Sequence, residues 1–233
     1  MVITPDQLSD SLVRLGKLET EDLAPAPVIR RVVDAAVELF GVDGAGMLLF
    51  SPDEALHHLA DSDPPGKAFE LAQEELGDGP CVAAYATDGT IAVTDLGSDA
   101  RWPELWPVAE RGVRSVLGVP VRFSGTPIGT LNVYRSEVHE WDESEMRALQ
   151  AYGDVIGDLL ATSAARHRSD ETAAQLSHAL DYRVPIERAI GYVMASTKVD
   201  ATTAFTRLRS AARSSRRKIV DVAGDVLAGK PLA

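Results

Sequence analysis

The residues best suited to chemistry in this chain are arginines near its C-terminal end. Arg183, Arg188, Arg209 and Arg213 lie in a segment of helical periodicity, and the run Arg216-Arg217-Lys218 follows them. The planar fork of an arginine donates two parallel hydrogen bonds, a geometry that suits phosphate groups and base edges. Each arginine can also be an ordinary exposed residue of a helix. The pattern alone therefore indicates an anionic partner without identifying it.

Charge is distributed unevenly along the 233 residues. Residues 1–165 carry 11 Lys and Arg against 28 Asp and Glu, a net charge of −17, whereas residues 166–233 carry 12 against 7, a net charge of +5. The asymmetry predicts that the basic part meets an anionic partner, because the acidic part repels phosphate. The alternative is that the +5 belongs to a solvated surface only.

Small and aromatic residues near the arginines extend this candidate surface. Gly191 lies inside a helical pattern, where glycine costs about 1 kcal/mol relative to alanine. With Ala189 it forms a small-residue surface that leaves room for a nucleic-acid backbone, or for close packing of helices. Tyr182 can stack on a base or pack against the preceding helix. Met194 fits the inward spacing and is predicted to lie in the core.

Enzymatic and metal chemistry find little support in the sequence. Cys81 is the only cysteine, so cysteine chemistry would lack a resolving partner. His57, His58 and His139 do not have metal-ligand spacing. Gly77-Asp78-Gly79-Pro80 lacks the Lys-Ser/Thr that completes a phosphate-binding loop. We therefore predict no catalytic residues, no metal site and no cofactor.

The sequence predicts a cytoplasmic protein without a membrane contact. No segment approaches the roughly 20 consecutive apolar residues needed to span a bilayer. The first residues lack the charged and apolar regions of a signal peptide. A single cysteine fits a reducing compartment.

The elements before the basic segment mix strands and helices. The order favours an α+β domain built around an antiparallel sheet, with a late strand hairpin and helices at both ends. Pro120 falls inside a strand pattern, so that strand is predicted to be broken, bulged or at an edge. Strands are predicted at 46–50, 56–60, 90–96, 113–123 and 128–134, and helices at 7–17, 29–40, 68–76, 81–86 and 103–110.

Helices alone are predicted after residue 141. A capping box of Asp142 and Glu145 opens a helix that extends to about Leu180, and its polar middle disfavours a strong coiled coil. Three short amphipathic helices then share a small core. Pro185 is predicted to be the first residue of the first of these helices. Asp200 is predicted to be the N-cap of the second, and Ser214 or Ser215 the N-cap of the third. Met194 and Leu227 are predicted to be among the inward residues.

Residues 170–230 resemble the ANTAR family. The resemblance implies a three-helix RNA-binding module that binds paired stem-loops in nascent transcripts, acts in transcription antitermination, and dimerises through the preceding helix. Ile190 departs from the family, many members of which place a basic residue there; Pro185 and the serines at 214 and 215 also depart. The matching positions are Ala179-Leu180-Asp181-Tyr182-Arg183, Ile186-Glu187-Arg188-Ala189-Ile190-Gly191-Tyr192-Val193-Met194, Ala204-Phe205, Leu208-Arg209, Ala212 and Val222-Ala223.

Residues 25–162 are similar to a GAF domain. The resemblance implies a sensor fold that takes a small-molecule ligand or a protein partner as its input. The matching stretches are Leu76-Gly77-Asp78-Gly79-Pro80-Cys81, Ile91-Ala92-Val93-Thr94-Asp95-Leu96, Gly112-Val113-Arg114-Ser115 and Pro127-Ile128-Gly129-Thr130-Leu131-Asn132-Val133.

The sequence as a whole predicts a signal-responsive, homodimeric RNA-binding regulator of transcription. Its predicted parts are an N-terminal helical segment at 1–24, a GAF-like sensor at 25–162, a helical linker at 163–180 and an ANTAR-like module at 181–233. The alternative is a DNA- or protein-binding regulator that no longer binds RNA. The predicted RNA-binding residues are Tyr182, Arg183, Arg188, Ala189, Gly191, Arg209, Arg213, Arg216, Arg217 and Lys218.

Overall fold

The computed structural model describes residues 3–20, 23–50, 56–123, 125–166 and 171–232 of the chain. Its helices and strands are, in chain order, α1 (Pro5–Gly16), α2 (Pro25–Phe40), β1 (Gly44–Phe50), β2 (Leu56–Asp61), α3 (Pro64–Leu76), α4 (Pro80–Thr87), β3 (Ile91–Val93), α5 (Trp106–Ala109), β4 (Ser115–Phe123), β5 (Thr126–Arg135), α6 (Glu143–Arg166), α7 (Glu171–Thr197), α8 (Ala201–Ser215) and α9 (Ile219–Leu227).

One antiparallel sheet organises the part of the chain before α7, with the strand order β2-β1-β5-β4-β3. Every residue of β1 is buried, because the strand has helices on both faces. Met47 and Leu49 point into one layer, whereas Leu48 and Phe50 point into the other, as the two-residue period of a strand requires. The sheet confirms the predicted α+β fold.

Helices α1, α2 and α6 cover the first face. The predicted stripe of α2, which includes Ile29, Val32 and Val33, is fully buried in this layer. Helix α6 lies so close to β4 that a Cβ atom on Gly157 would overlap the carbonyl oxygen of Arg122. Glycine is therefore required where α6 crosses β4.

The second face is covered by α3, α4 and the three C-terminal helices. Phe69 of α3 and Tyr85 of α4 belong to the same buried cluster as Val193 of α7 and Phe205 of α8. The core of the C-terminal helices is thus continuous with the core on this face of the sheet.

Local sequence signals account for several boundaries. The backbone N–H of Glu145 donates to Asp142 at 3.0 Å and the Asp142 N–H donates to Glu145 at 2.9 Å, so the predicted capping box is confirmed. At Pro120 strand β4 pairs with β5 alone, because β3 reaches only as far as Gly118, and the register shifts just beyond, between Val121 and Arg122. The strand is both at an edge and irregular there, as predicted.

Pro185 does not begin a helix, contrary to the prediction. It lies inside α7, which runs from Glu171 to Thr197. Proline removes one backbone hydrogen bond of a helix. We attribute the continuity of α7 to packing next to the proline, since Arg183 and Ile186 are both buried. The predicted helix from Asp142 to Leu180 spans residues 167–170, which lie outside the described residues.

The third helix of the C-terminal group also begins later than predicted. Helix α8 continues to Ser215, whose hydroxyl donates back to the carbonyl of Ala211 at 2.6 Å and therefore does not cap α9. Lys218 is the N-cap residue of α9 and makes no side-chain cap bond. Asp200 does cap α8, because it accepts from Thr203 at 2.7 Å.

Two residues that were predicted to point inward are exposed in the described structure. Met194 is 36% exposed and Leu227 is 42% exposed. Both lie at the edge of a predicted apolar stripe, where helical periodicity discriminates least between core and surface.

Candidate functional site

The candidate site is the basic surface of α7, α8 and α9. Ala189 of α7, Leu208 of α8 and Ala223 of α9 are each fully buried where the three helices meet. Ala189, which was predicted to contact RNA, is therefore a core residue of this three-helix group. The predicted arginines fall into two groups, one facing α3 and α4 and one facing solvent.

Arg183 is buried against α4. Its side chain is 1% exposed, its Nη2 donates to the carbonyl of Tyr85 at 3.1 Å, and its Nε donates to Glu187 at 3.0 Å. The guanidinium carbon lies 3.9 Å from the centre of the Tyr85 ring, a cation–π geometry. Burial raises the pKa of the Tyr85 hydroxyl, and the Arg183 charge partly offsets this rise.

One nitrogen of Arg183 remains unsatisfied. Its Nη1 has no hydrogen-bond partner among the described residues. Arg183 lines a cavity of about 210 Å³ between α4 and α7, together with Asp88, Gly191 and Met194.

Arg209 and Arg213 of α8 contact the C-terminal end of α3. Arg209 is 3% exposed and its Nη2 donates to the Glu74 carbonyl at 3.3 Å. Arg213 donates from Nη2 to the same carbonyl at 2.9 Å and from Nη1 to the Glu75 carbonyl at 3.1 Å. The last carbonyls of a helix carry partial negative charge, so they attract cations.

An aromatic cluster lies beside these polar contacts. Phe205 of α8 meets Tyr85 and Phe50 edge-on, with ring centroids 5.7 and 5.8 Å apart. Tyr85 stacks on Phe50 in turn. The contact between the C-terminal helices and the sheet domain is therefore apolar in its middle, with arginines around it.

The second group of predicted residues faces solvent. Arg188 on α7 and Arg216, Arg217 and Lys218 between α8 and α9 are exposed, and Arg217 also pairs with Asp225 at 2.7 Å. Arg216 occupies the left-handed C-cap position of α8, so it adjoins the negative end of a helix dipole. The basic run thus connects two helices and does not open the third.

Gly191 faces open space. A Cβ atom built on it would meet no atom within 4 Å among the described residues. The alternative of close helix packing at Gly191 therefore has no support among the described residues, and Gly191 alone of the small-residue surface remains a prediction for RNA contact. The side chain of Tyr182 lies outside the described residues, so its predicted role also remains untested.

Tyr192 is a candidate that the sequence analysis missed. It follows Gly191 on α7, and its side chain is 48% exposed. Its position off the inward stripe of α7 was the available signal, because an aromatic residue on a polar helix face presents a flat surface for stacking.

The interior of the sheet domain contains a cluster of buried polar side chains. The Asn132 amide donates to Glu70, and Gln73 both donates to Cys81 Sγ at 3.3 Å and accepts from the Cys81 backbone N–H at 2.8 Å. Burial raises the pKa of Glu70 to about 8. Burial, with the nearby Glu70, also raises the pKa of the Cys81 thiol, and a protonated thiol is a poor nucleophile.

Neither a metal site nor a membrane-spanning helix is found among the described residues. No group of three His, Cys, Asp or Glu side chains is placed to hold a metal ion, although the side chains of His57 and His58 lie outside the described set. Among the helices of the described chain, none combines the length and apolar character required to cross a membrane.

Comparison with known proteins identifies two domain types. The model of the GAF domain matches residues 24–161, and the model of the ANTAR domain matches residues 174–227. No curated protein matches the chain.

Several solved structures share the fold of the first domain. Free methionine-R-sulfoxide reductase from Neisseria meningitidis, in complex with its substrate, is 20% identical with a TM-score of 0.53, over 68% of this chain and 90% of that one. The GAF domains of phosphoenolpyruvate-protein phosphotransferases from Coxiella burnetii and Acinetobacter are 15% and 16% identical, with TM-scores of 0.55 and 0.54. Each covers 70% of this chain, and this chain covers 97% and 96% of theirs. At such identities the likeness shows the fold alone.

Proposed function

The chain belongs to the GAF-domain family and carries an ANTAR domain after its GAF domain, and from this we propose that it is a signal-responsive RNA-binding regulator of transcription antitermination. The combination of a sensory domain with an ANTAR domain is that of a regulator. In the proposed mechanism the GAF domain gates the ANTAR domain, which binds paired stem-loops in nascent transcripts.

The observation that carries this proposal is the exposed cationic surface of the ANTAR domain. Arg188 projects from α7, and the run Arg216-Arg217-Lys218 projects from the connection between α8 and α9. Contacts to phosphate supply most of the affinity of a nucleic-acid-binding protein. Gly191 leaves room for a backbone, and Tyr192 offers a ring on which an unpaired loop base can stack.

A homodimer would let one chain bind each stem-loop of a pair. Two linked binding events raise the affinity well above that of either alone, provided that the spacing fits. We place the pairing of the two chains on the linker at 163–180, ahead of the ANTAR module at 181–233. The expected complex is two chains on one RNA, which light scattering of the complex would measure.

The input to the GAF domain is proposed to be a small molecule or a protein partner. Its interior between α3 and the sheet contains Glu70, Gln73 and Asn132, which are buried polar side chains that can rearrange around a ligand. A signal that binds one arrangement better than another shifts the population of the two.

Cysteine catalysis, by contrast, finds no support in the site. Cys81 is the only cysteine of the chain, it is buried, and its thiol pKa is raised. The fold shared with a methionine sulfoxide reductase therefore does not carry that activity over to this chain.

The test measures binding of the full chain to an RNA with two adjacent small stem-loops, with a single stem-loop and duplex DNA as controls. The proposal expects preference for the paired stem-loops and an affinity that falls steeply between about 50 and 200 mM salt. Preference for DNA would favour the DNA-binding regulator instead. If neither the full chain nor any of the folded variants described below binds either nucleic acid, the protein-binding regulator is favoured.

A charge-matched pair of triple variants locates the surface. Arg188→Ala with Arg216→Ala and Arg217→Ala should weaken RNA binding at least tenfold and flatten its salt dependence, since three phosphate contacts are removed. The control removes three exposed arginines of the GAF domain, Arg101→Ala with Arg111→Ala and Arg147→Ala. Equal losses in both triple variants would show that net charge, and not this surface, determines binding.

A further inference from the structure

We propose that the GAF domain competes with RNA for the ANTAR domain, and that the structure shows the closed state of this competition. The contested side chains are Arg183, Arg209 and Arg213, which we call the docking arginines. This competition rests on the proposed function, because it requires that the docking arginines contact RNA in the open state.

The docking arginines are bound by groups that resemble what RNA would offer. Their five-donor guanidinium groups donate to the carbonyls of Tyr85, Glu74 and Glu75. These carbonyls lie in the last turns of α4 and α3, where a helix carries its partial negative charge. Two helix ends of the GAF domain thus occupy positions in which phosphate oxygens would bind the same arginines.

Burial makes the two modes of binding exclusive for Arg183 and Arg209, whereas the exposed Arg213 would exchange its carbonyl acceptors for phosphate. Arg183 is 1% exposed and Arg209 is 3% exposed, so a nucleic acid cannot reach them while the domains are docked. Phe205 seals the contact by packing edge-on against Tyr85. Binding of phosphate by Arg183 therefore requires that its guanidinium leave the ring and the carbonyl of Tyr85.

The closed state also has features of a contact that can open. Arg183 keeps one buried nitrogen without a partner among the described residues, and solvent or phosphate would satisfy that nitrogen after opening. Arg188, Arg216 and Arg217 stay exposed in the closed state, so RNA can make its first contacts there. RNA that binds all of the arginines in the open state would then shift the population toward it.

The closed state should weaken RNA binding, because the apparent Kd equals the intrinsic Kd divided by the fraction of open molecules. If the open state is a tenth of the molecules, the apparent Kd is about ten times the intrinsic Kd. Changes in the GAF domain that weaken docking should therefore tighten RNA binding, although they lie outside the ANTAR domain.

The first test replaces the ring that holds Arg183 and Phe205. Tyr85→Ala removes the cation–π and edge-on contacts and leaves the backbone carbonyl, and Tyr85→Phe is the matched control, because it also keeps the ring. The full chain of each variant is titrated with the RNA that carries two adjacent stem-loops. We expect Tyr85→Ala to bind at least tenfold more tightly than the wild-type chain, and Tyr85→Phe to bind like it.

A second pair of variants decides the question if Tyr85→Ala does not fold, as judged by circular dichroism. Glu74→Lys with Glu75→Lys places cations beside Arg213 without altering the core. Glu137→Lys with Glu140→Lys makes the same change of charge at exposed positions of the loop between β5 and α6. Only the first pair should raise the affinity tenfold or more, because nonspecific attraction to RNA rises equally in both.

Amide hydrogen exchange then tests the opening itself. Bound RNA should increase exchange in α4 and at the C-terminal end of α3, because α8 no longer covers them. Measurable RNA binding with equal affinity in all folded variants, or with unchanged exchange in α4, would overturn the competition and leave the proposed function intact. Absence of RNA binding in every folded variant, the opened ones included, would overturn both.

Discussion

Phe205 of α8 and Tyr85 of α4 meet edge-on, with ring centroids 5.7 Å apart and ring planes at 62°. The two residues are 120 positions apart in the sequence and belong to different domains, so their contact joins the two cores. Aromatic pairs in this geometry contribute about 0.5–1.5 kcal/mol beyond the burial of their area. The GAF and ANTAR domains should consequently unfold together while they are docked.

Replacement of Phe205 should uncouple the two domains. Phe205→Ala removes a buried aromatic side chain and should lower the free energy of unfolding by about 3–5 kcal/mol. Tryptophan fluorescence reports only on the GAF domain, since Trp102, Trp106 and Trp141 all lie there, whereas circular dichroism reports on the helices of both domains. In urea the two signals should change together in the wild-type chain and at different concentrations in Phe205→Ala.

The milder variant Phe205→Leu serves as the control, because it retains most of the apolar volume. It should lose less stability and keep the two signals coincident. If the fluorescence and circular dichroism signals of the wild-type chain already changed at different urea concentrations, the prediction that the two domains unfold as one cooperative unit would be contradicted.

Glu70 should make stability depend on pH. Burial raises the pKa of Glu70 from its ordinary value of 4.5 to about 8, although the Asn132 amide lowers it and the nearby Asp61 raises it further. The folded chain therefore keeps a proton that the unfolded chain releases, so stability falls as pH rises from about 4.5 to about 8. By pH 7 the loss is on the order of 3 kcal/mol.

Glu70→Gln removes the titrating proton from this environment. Its free energy of unfolding should be less dependent on pH between 5 and 8 than that of the wild-type chain, and higher at pH 8. Denaturant midpoints at several pH values measure this. Glu75→Gln, at an exposed position of the same helix, should retain the wild-type slope; an unchanged slope in Glu70→Gln would assign the pH dependence to another group.

Local periodicity was sufficient to predict much of the fold. The stripe of α2, the strands β1 and β5 and the cap at Asp200 each depend on residues within a few positions of one another. Such signals are read directly from the chain, because the period of a strand or helix determines which side chains share a face.

The burial of Arg183 and Arg209 could not be predicted in this way. Arg183 donates to a carbonyl 98 residues away and Arg209 to one 135 residues away. Every residue has a backbone carbonyl, so no residue type in the amino-acid sequence indicates which carbonyl accepts from an arginine. Arginines on a basic segment therefore suggested a nucleic-acid surface only, and the structure adds that three of them contact the GAF domain.

Gly157 should tolerate no side chain. A Cβ atom there would overlap the carbonyl oxygen of Arg122, so Gly157→Ala must push α6 away from β4. Although alanine favours a helix by about 1 kcal/mol, we expect a net loss of at least about 2 kcal/mol, in the range of overpacked cores. Thermal unfolding measures the change, and a variant as stable as the wild-type chain would show that α6 does not lie this close to the sheet.

Gly191 differs from Gly157, because an alanine there should increase stability and weaken RNA binding. Its surroundings are open within 4 Å, so Gly191→Ala should raise the free energy of unfolding by about 0.5–1 kcal/mol through helix propensity alone. If the absence of a side chain at Gly191 leaves room for an RNA backbone, the same variant should bind the paired stem-loops more weakly. Gly224→Ala, at a helical glycine that is also open within 4 Å, is the control for stability without a predicted RNA contact. A Gly191→Ala variant that is more stable and binds RNA as tightly as the wild-type chain would remove Gly191 from the binding surface and leave the contact to the neighbouring cations.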